Sequence, residues 1–211
     1  MLERWMGKRA AKGLGGILMG LALAAPVVAA PAGGQGAPEA ARALAEEGRK
    51  AAFFCANCHG ASGHSKYPEV PNLAGQHPAY VQTQIEAFLS GKRKDPFMQG
   101  LMKVLSERDK AAIAQFYATS PAQPAVPTPG ARAAEGAGHF QRLCARCHQA
   151  DARGGETFPR LAGQQPEYLR RTLKRYLTLS GERFFAPMTA AVMQLEEKNI
   201  EAVVDYLASL Q

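Results

Sequence analysis

The feature that most constrains this chain is a five-residue pattern that occurs twice. Cys55-Ala56-Asn57-Cys58-His59 returns 89 residues later as Cys144-Ala145-Arg146-Cys147-His148. Three further segments return nearly in step. Pro71-Asn72-Leu73-Ala74-Gly75-Gln76 becomes Pro159-Arg160-Leu161-Ala162-Gly163-Gln164 at an offset of 88. Ser90-Gly91 becomes Ser180-Gly181, and Met98 becomes Met188, both at an offset of 90. Offsets that drift so little describe two copies of one domain with small loop changes. The copies are expected at 38–119 and 131–211, joined by a Pro-rich linker at 120–130 that holds Pro121, Pro124, Pro127 and Pro129. At ~3.1 Å per residue such a linker reaches roughly 34 Å. That carries the chain across a small domain, so the copies can lie side by side.

Each copy reads as helical. Val81, Ile85, Phe88 and Leu89 make one apolar stripe, and Leu169, Leu173, Tyr176 and Leu177 repeat it. Both runs begin at a proline, Pro78 and Pro166, which suits a first helical turn. Ser106-Glu107-Arg108-Asp109 reads as a capping box that opens a last helix bearing Ile113, Phe116 and Tyr117. Glu196 and Glu197 favour a helix start at the matching place, with Val203, Tyr206, Leu207 and Leu210 as its apolar stripe. A first helix over about 39–56, and another over about 131–145, run into the cysteine pattern. No alternating run of useful length occurs. The expected fold is therefore all-α, with three main helices per copy and long loops from His59 to Pro78 and from Gly91 to Leu105. So short a domain has a modest core. Its loops need something large and apolar to pack on.

The first 32 residues read as a secretory signal. Arg4, Lys8, Arg9 and Lys12 precede the uncharged, Leu- and Ala-rich stretch Leu14 to Ala30, which ends in small residues. Cleavage after Ala30 or Ala32 is expected, with retention as an anchor the other reading. Gly13, Gly15, Gly16, Gly20 and Pro26 weaken a membrane-spanning helix. The protein is thus expected in the periplasm, soluble or loosely bound to a membrane surface. The 25 Lys and Arg against 18 Asp and Glu give +7, of which the first 30 residues supply +3. The remainder is too diffuse for a nucleic-acid binder.

C-x-x-C-H is the attachment signature of c-type haem. Two thiols about one helical turn apart reach the two vinyl groups of a porphyrin as thioethers, and the adjacent histidine faces the iron from the same side. Two disulfides would leave the repeated histidines unexplained. A four-thiolate zinc site needs neither those histidines nor the long gap between pairs. No βαβ pattern supports a thioredoxin-type thiol pair. Two covalently bound haem c are expected, on Cys55 and Cys58 and on Cys144 and Cys147, with His59 and His148 on iron. Met98 and Met188 keep the repeat register and are expected as the sixth ligands. Met102 and Met193 fall out of that register and read as loop or core packing. His64, His77 and His139 have no repeat partner and read as exposed or packing residues. A thioether opposite histidine raises the haem potential. A ligating histidine usually donates its other N–H, and the Pro71 and Pro159 carbonyls are the expected acceptors for His59 and His148.

The ordered set of C-x-x-C-H, P-x-L-A-G-Q, Tyr80 and Tyr168, the G-x-R triplets Gly91-Lys92-Arg93 and Gly181-Glu182-Arg183, then methionine, resembles cytochrome c4 over nearly all of the chain after the signal. The resemblance implies two tandem class I cytochrome c domains with His/Met ligation and haems facing each other across a pseudo-twofold contact. It also implies electron carriage from a quinol-oxidising bc-type complex to a haem-copper terminal oxidase. The stretch between Gly91 and Met98 is short for that family. That leaves room for a related carrier, the cytochrome subunit of flavocytochrome sulfide dehydrogenases, bound to a flavoprotein. With both irons closed by methionine, the expected function is electron carriage and not catalysis. A two-haem peroxidase or thiosulfate dehydrogenase would need an open site, and nothing distinguishes the two copies at their ligand positions. Arg170, Arg171, Lys174 and Arg175 lie opposite an apolar stripe and read either as a solvated face or as a dock for an acidic partner.

Overall fold

The computed structural model describes residues 36–122 and 130–210. The expected signal at 1–32, and residues 123–129 of the expected linker, lie outside the described residues. The first copy runs through α1 (Gly36–Ala51), α2 (Ala56–His59), α3 (Pro78–Leu89), α4 (Pro96–Met102) and α5 (Glu107–Thr119). The second repeats that order with α6 (Ala133–Leu143), α7 (Ala145–His148), α8 (Pro166–Leu177), α9 (Ala186–Leu195) and α10 (Ile200–Ser209), the last preceded by a 3-10 turn at Glu197–Asn199. Among the described residues there is no strand. One isolated antiparallel bridge joins Arg93 to Arg183 across the two copies. No described helix is long and apolar enough to cross a membrane.

Two glycines set how tightly each copy closes. α1 packs across α5, and α6 across α10. A Cβ on Gly48 would stand 1.9 Å from the Ala112 carbonyl oxygen, and one on Gly136 would stand 1.8 Å from that of Ala202. Each crossing therefore brings backbone against backbone, which only glycine permits. α3 and α8 then pack on α5 and α10 and bury the two apolar stripes read from the sequence.

The helix starts follow their local chemistry. Pro78 and Pro166 open α3 and α8. Ser106 and Asp109 form the capping box of α5. The expected first helices are shorter than read. Each ends before its first cysteine; after α1 the bonds loosen to i→i−3, with Phe53 N–H on Lys50 O at 3.3 Å, whereas α6 ends on an i→i−4 bond from Cys144 N–H to Phe140 O at 2.8 Å. Each copy adds two short helices to the three expected: α2 and α7 hold the cysteine pattern itself, and α4 and α9 stand where a loop is expected. The more important pair is α4 and α9, inside the supposed loop before Leu105 and its counterpart. The Asp95 carboxylate accepts from Met98 N–H at 3.0 Å and Pro96 takes the first position, so the run is capped and pre-set for a helix. Their consequence is positional. Met98 and Met188 are both the third residue of their helices.

The second copy has one continuous core around Phe140, Leu195, Val203 and Leu207. In the first copy the core is two clusters, one at Val81, Ile85, Phe88 and Met102, the other at Ala52, Cys55, Ile113 and Tyr117.

Candidate functional site

Both cysteine patterns, both histidines and both register-keeping methionines line one continuous cavity of about 910 Å³. That volume is at the upper end for a ligand pocket, and its wall is built twice from equivalent residues. His59 and His148 end the short helices α2 and α7 and are 7% and 5% exposed. Each donates from Nδ1 to a proline carbonyl, His59 to Pro71 O at 2.9 Å and His148 to Pro159 O at 3.0 Å. These are the acceptors expected from the repeats. A carbonyl can only accept, so Nδ1 holds the proton and Nε2 keeps its lone pair. Burial, partly offset by the carbonyl bond, holds both imidazoles below their ordinary pKa. Neutral imidazole with a free Nε2 is the metal-binding form.

The four thiols are free. Burial pushes Cys55 up and Cys144 up to about 11. Reactive and thiol-exchange cysteines are lowered, not raised. Among the described residues no three His, Cys, Asp or Glu side chains converge on a possible metal position, so the two cysteine pairs do not form one thiolate site.

Met98 and Met188 are half-buried on the cavity wall, against their respective cores. Met102 reaches the same wall but is 4% exposed within the core, and the repeat register places Val192, equally buried, in its position. Its place is that of a packing residue. Met193 is exposed and off the wall. His64, His77 and His139 are also absent from the wall.

Where the two copies meet, the wall turns polar. Arg183 donates to Tyr168 Oη at 3.0 Å and to Tyr80 Oη at 2.7 Å, and Arg93 donates to Tyr168 Oη at 3.1 Å. Both guanidiniums also reach the Gln84 side-chain oxygen. Each lies over a ring of its own copy, Arg93 over Phe88 and Arg183 over Tyr176. Burial raises the Tyr80 phenol. Tyr168 is buried as well, but Arg93 and Arg183 outweigh that and bring its phenol below the ordinary value. Tyr80, Tyr168, Arg93 and Arg183 all belong to the repeated motifs, which carry no role for them in the sequence alone. Two cations on the wall of an apolar cavity suit the carboxylates of a porphyrin. The Tyr117 hydroxyl, buried on the wall with no partner among the described residues, marks a further polar point in the lining. The donor set, paired thiols, a neutral histidine, a thioether and cationic edges, therefore fits haem c in each copy.

The basic stripe of α8 is not a free patch. Arg170 Nε donates to Glu201 at 2.6 Å and Arg170 also pairs with Glu167; Lys174 lies 3.6 Å from Glu197; Arg175 pairs with Glu182. Three of the four cations are thus tied to carboxylates of their own copy. These pairs favour the solvated-face reading of the stripe over a dock for an acidic partner.

Comparison with known proteins agrees with this geometry. The family model "Cytochrome c" matches residues 45–120 and 133–211. Cytochrome c4 of Thiocapsa roseopersicina is 32% identical over 177 residues, covering 76% of this chain and 89% of that protein. A thiosulfate dehydrogenase electron acceptor of Thiomonas intermedia is 33% identical over 173 residues, covering 75% and 79%. The crystal structure of reduced recombinant cytochrome c4 from Pseudomonas stutzeri superposes with a TM-score of 0.72 at 28% identity, over 79% of this chain and 98% of that one.

Proposed function

The chain belongs to the cytochrome c family, as a two-domain member of the cytochrome c4 type, and on that premise we propose that it is a periplasmic two-haem electron shuttle. Its function is electron transfer through covalently bound haem c. The finer reading is that each domain holds one haem. Cys55 and Cys58 hold the first, with His59 and Met98 on its iron. Cys144 and Cys147 hold the second, with His148 and Met188. When bound, the group supplies one-electron exchange between ferric and ferrous iron.

The observation that carries this reading is the shared position of the two methionines. Both open a helix at its third residue and line the cavity that holds the histidines. Two rigid elements thus present a sulfur and an imidazole to one space in each domain. With Met98 and Met188 as iron ligands no position would be open to a substrate, so the protein would pass electrons and make no bonds. The proline carbonyls fix the histidine rings. Arg93 and Arg183 would hold the carboxylate edge of the group, and the surrounding apolar wall would exclude water.

We place the protein between a quinol-oxidising bc-type complex as donor and a haem-copper terminal oxidase as acceptor. A second reading has specific support. A relative at 33% identity is named as the electron acceptor of a thiosulfate dehydrogenase, so a dehydrogenase, a flavoprotein included, can stand in the donor's place. Tight co-purification with such an enzyme favours that reading; turnover with a bc-type complex and oxidase in the absence of one favours the shuttle. The test of the core proposal is a pyridine haemochrome spectrum combined with an intact mass. Two haems per chain and no carbon monoxide or cyanide binding to the native protein are expected. One haem, or ready ligand binding at either centre, refutes it.

A further inference from the structure

The hydrogen bonds that fix each histidine do not end within its own domain. In the first domain the carbonyl of the Pro71–Asn72 peptide accepts from His59 Nδ1 at 2.9 Å. The N–H of that same peptide donates to Gln164 Oε1, in the second domain, at 2.7 Å. Gln164 Nε2 donates back to Asn72 O at 2.9 Å. The second domain repeats the arrangement in reverse. The Pro159–Arg160 peptide accepts from His148 at 3.0 Å and donates to Gln76 Oε1 of the first domain at 2.8 Å, and Gln76 Nε2 donates to Arg160 O at 3.1 Å. Both glutamines are 6% exposed.

Local structure aims them. Leu73-Ala74-Gly75-Gln76 and Leu161-Ala162-Gly163-Gln164 are turns closed by Gln76 N–H on Leu73 O and by Gln164 N–H on Leu161 O, both at 3.1 Å. Gly75 and Gly163 take φ of 68° and 69°, which favours glycine at the third position of a turn. The next side chain is thereby projected into the other domain.

We propose that Gln76 and Gln164 are positioning residues that act across the domain boundary, each setting the strength of the histidine–carbonyl hydrogen bond, and so the reduction potential, in the opposite domain. The physical basis is polarisation. A peptide whose N–H donates to a buried oxygen carries more negative charge on its carbonyl, and hydrogen bonds in series strengthen one another. A stronger pull on the Nδ1 proton makes the imidazole a better electron donor to its metal, which favours ferric iron. Gln164 therefore lowers the potential of the site at His59, and Gln76 that of the site at His148. This rests on the two-haem reading above.

The test uses the holoprotein and the single variants Gln164→Met and Gln76→Met, which keep length and lose the hydrogen bonds. Redox titration is followed by NMR, with each haem assigned through its own histidine and thioether signals. Gln164→Met is expected to raise the ferrous-to-ferric ratio of the first haem roughly threefold, about 28 mV at the one-electron constant of 59 mV per decade. The second haem should shift much less, and Gln76→Met should show the reverse. The His Nδ1 proton resonance should move with the potential in the same crossed pattern. Gln165→Met is the control: it removes other boundary bonds, from Gln165 Nε2 to Ser65 O at 2.6 Å and to the Asn72 side-chain oxygen at 3.5 Å, and leaves the bonds to the amide and carbonyl of the Pro71–Asn72 peptide in place. It should leave both potentials in place. Equal shifts of both haems, shifts confined to the mutated domain, no shift, or an equal effect of Gln165→Met each overturn the proposal. Fewer than two haems per wild-type chain would instead remove the reading beneath it.

Discussion

Gly136 and Gly138 sit two residues apart on α6, and the same change, glycine to alanine, should have opposite effects at them. At Gly136 the new Cβ would lie 1.8 Å from the Ala202 carbonyl oxygen and 2.4 Å from its carbon. Contacts under 3.0 Å are not sustained, so α6 and α10 must part by at least about 1.2 Å. The obstruction is backbone, which cannot swing aside as a side chain can. Overpacking of this kind costs about 1–3 kcal/mol, and the rigidity of both partners puts this case at the upper end. Against it stands the gain of about 1 kcal/mol that alanine brings to any helix interior. Gly136→Ala should thus destabilise by about 2 kcal/mol. At Gly138 a Cβ meets nothing within 4 Å, so only the helical gain of about 1 kcal/mol applies. The separation of about 3 kcal/mol corresponds to about 6–12 °C in Tm for a protein of this size. Thermal and urea unfolding of the two holoprotein variants, followed by far-UV circular dichroism, measures it. A Gly136→Ala protein that melts with or above Gly138→Ala would refute the close crossing.

The ligands and one ion pair give further expectations. Met98→His should lower the potential of the first haem by roughly 100 mV or more, well within the span that axial ligands control, and leave the second nearly unchanged. Met102→Leu should leave both potentials in place and cost about 1 kcal/mol of stability or less. Spectroelectrochemistry of the two variants decides between the sulfurs. The hydrogen bond and charge of Arg170 hold the Glu201 carboxyl below its ordinary 4.5. The folded state thus gains from this group above the unfolded value and loses the gain as pH falls through the folded one. Glu201→Gln should cost under about 1 kcal/mol at pH 7, since the pair is partly exposed. The difference from wild type in urea midpoint should close as the pH is lowered below 4.

Much of this was legible because the chain states its plan twice. The histidine acceptors followed from repeat register alone: Pro71 and Pro159 open the second repeated segment, and their carbonyls receive the Nδ1 protons. The stripes of α3 and α8 and the Ser106–Asp109 cap were visible as local patterns. α4 and α9 were hidden because seven to ten residues beginning Pro-Phe-Met or Ala-Pro-Met carry no long periodicity, although Asp95 before Pro96 was a start signal. The glutamines were in plain view within P-x-L-A-G-Q. Their role was not, because a hydrogen bond to main chain 84 or 92 residues away leaves no trace in composition or period. The pairing of the α8 stripe was hidden for a different reason. Like charges at i,i+4 look repulsive in one helix, and the neutralising Glu201 and Glu197 come from beyond it.

The four bonds of the reciprocal clasp reach only amide and carbonyl atoms of residues 72 and 160, and the side chains there differ: Asn72 adds its own bond across the boundary, to Gly163 O at 3.0 Å, while Arg160 turns back to Ala162 O in its own half. The main-chain grip itself does not depend on which side chains those residues carry, and a neutral asparagine stands at one and a charged arginine at the other. The duplicated halves are thereby free to specialise in the side chains at their seam while remaining fastened. Divergence after duplication can then alter what each half offers a visitor without unpicking the join.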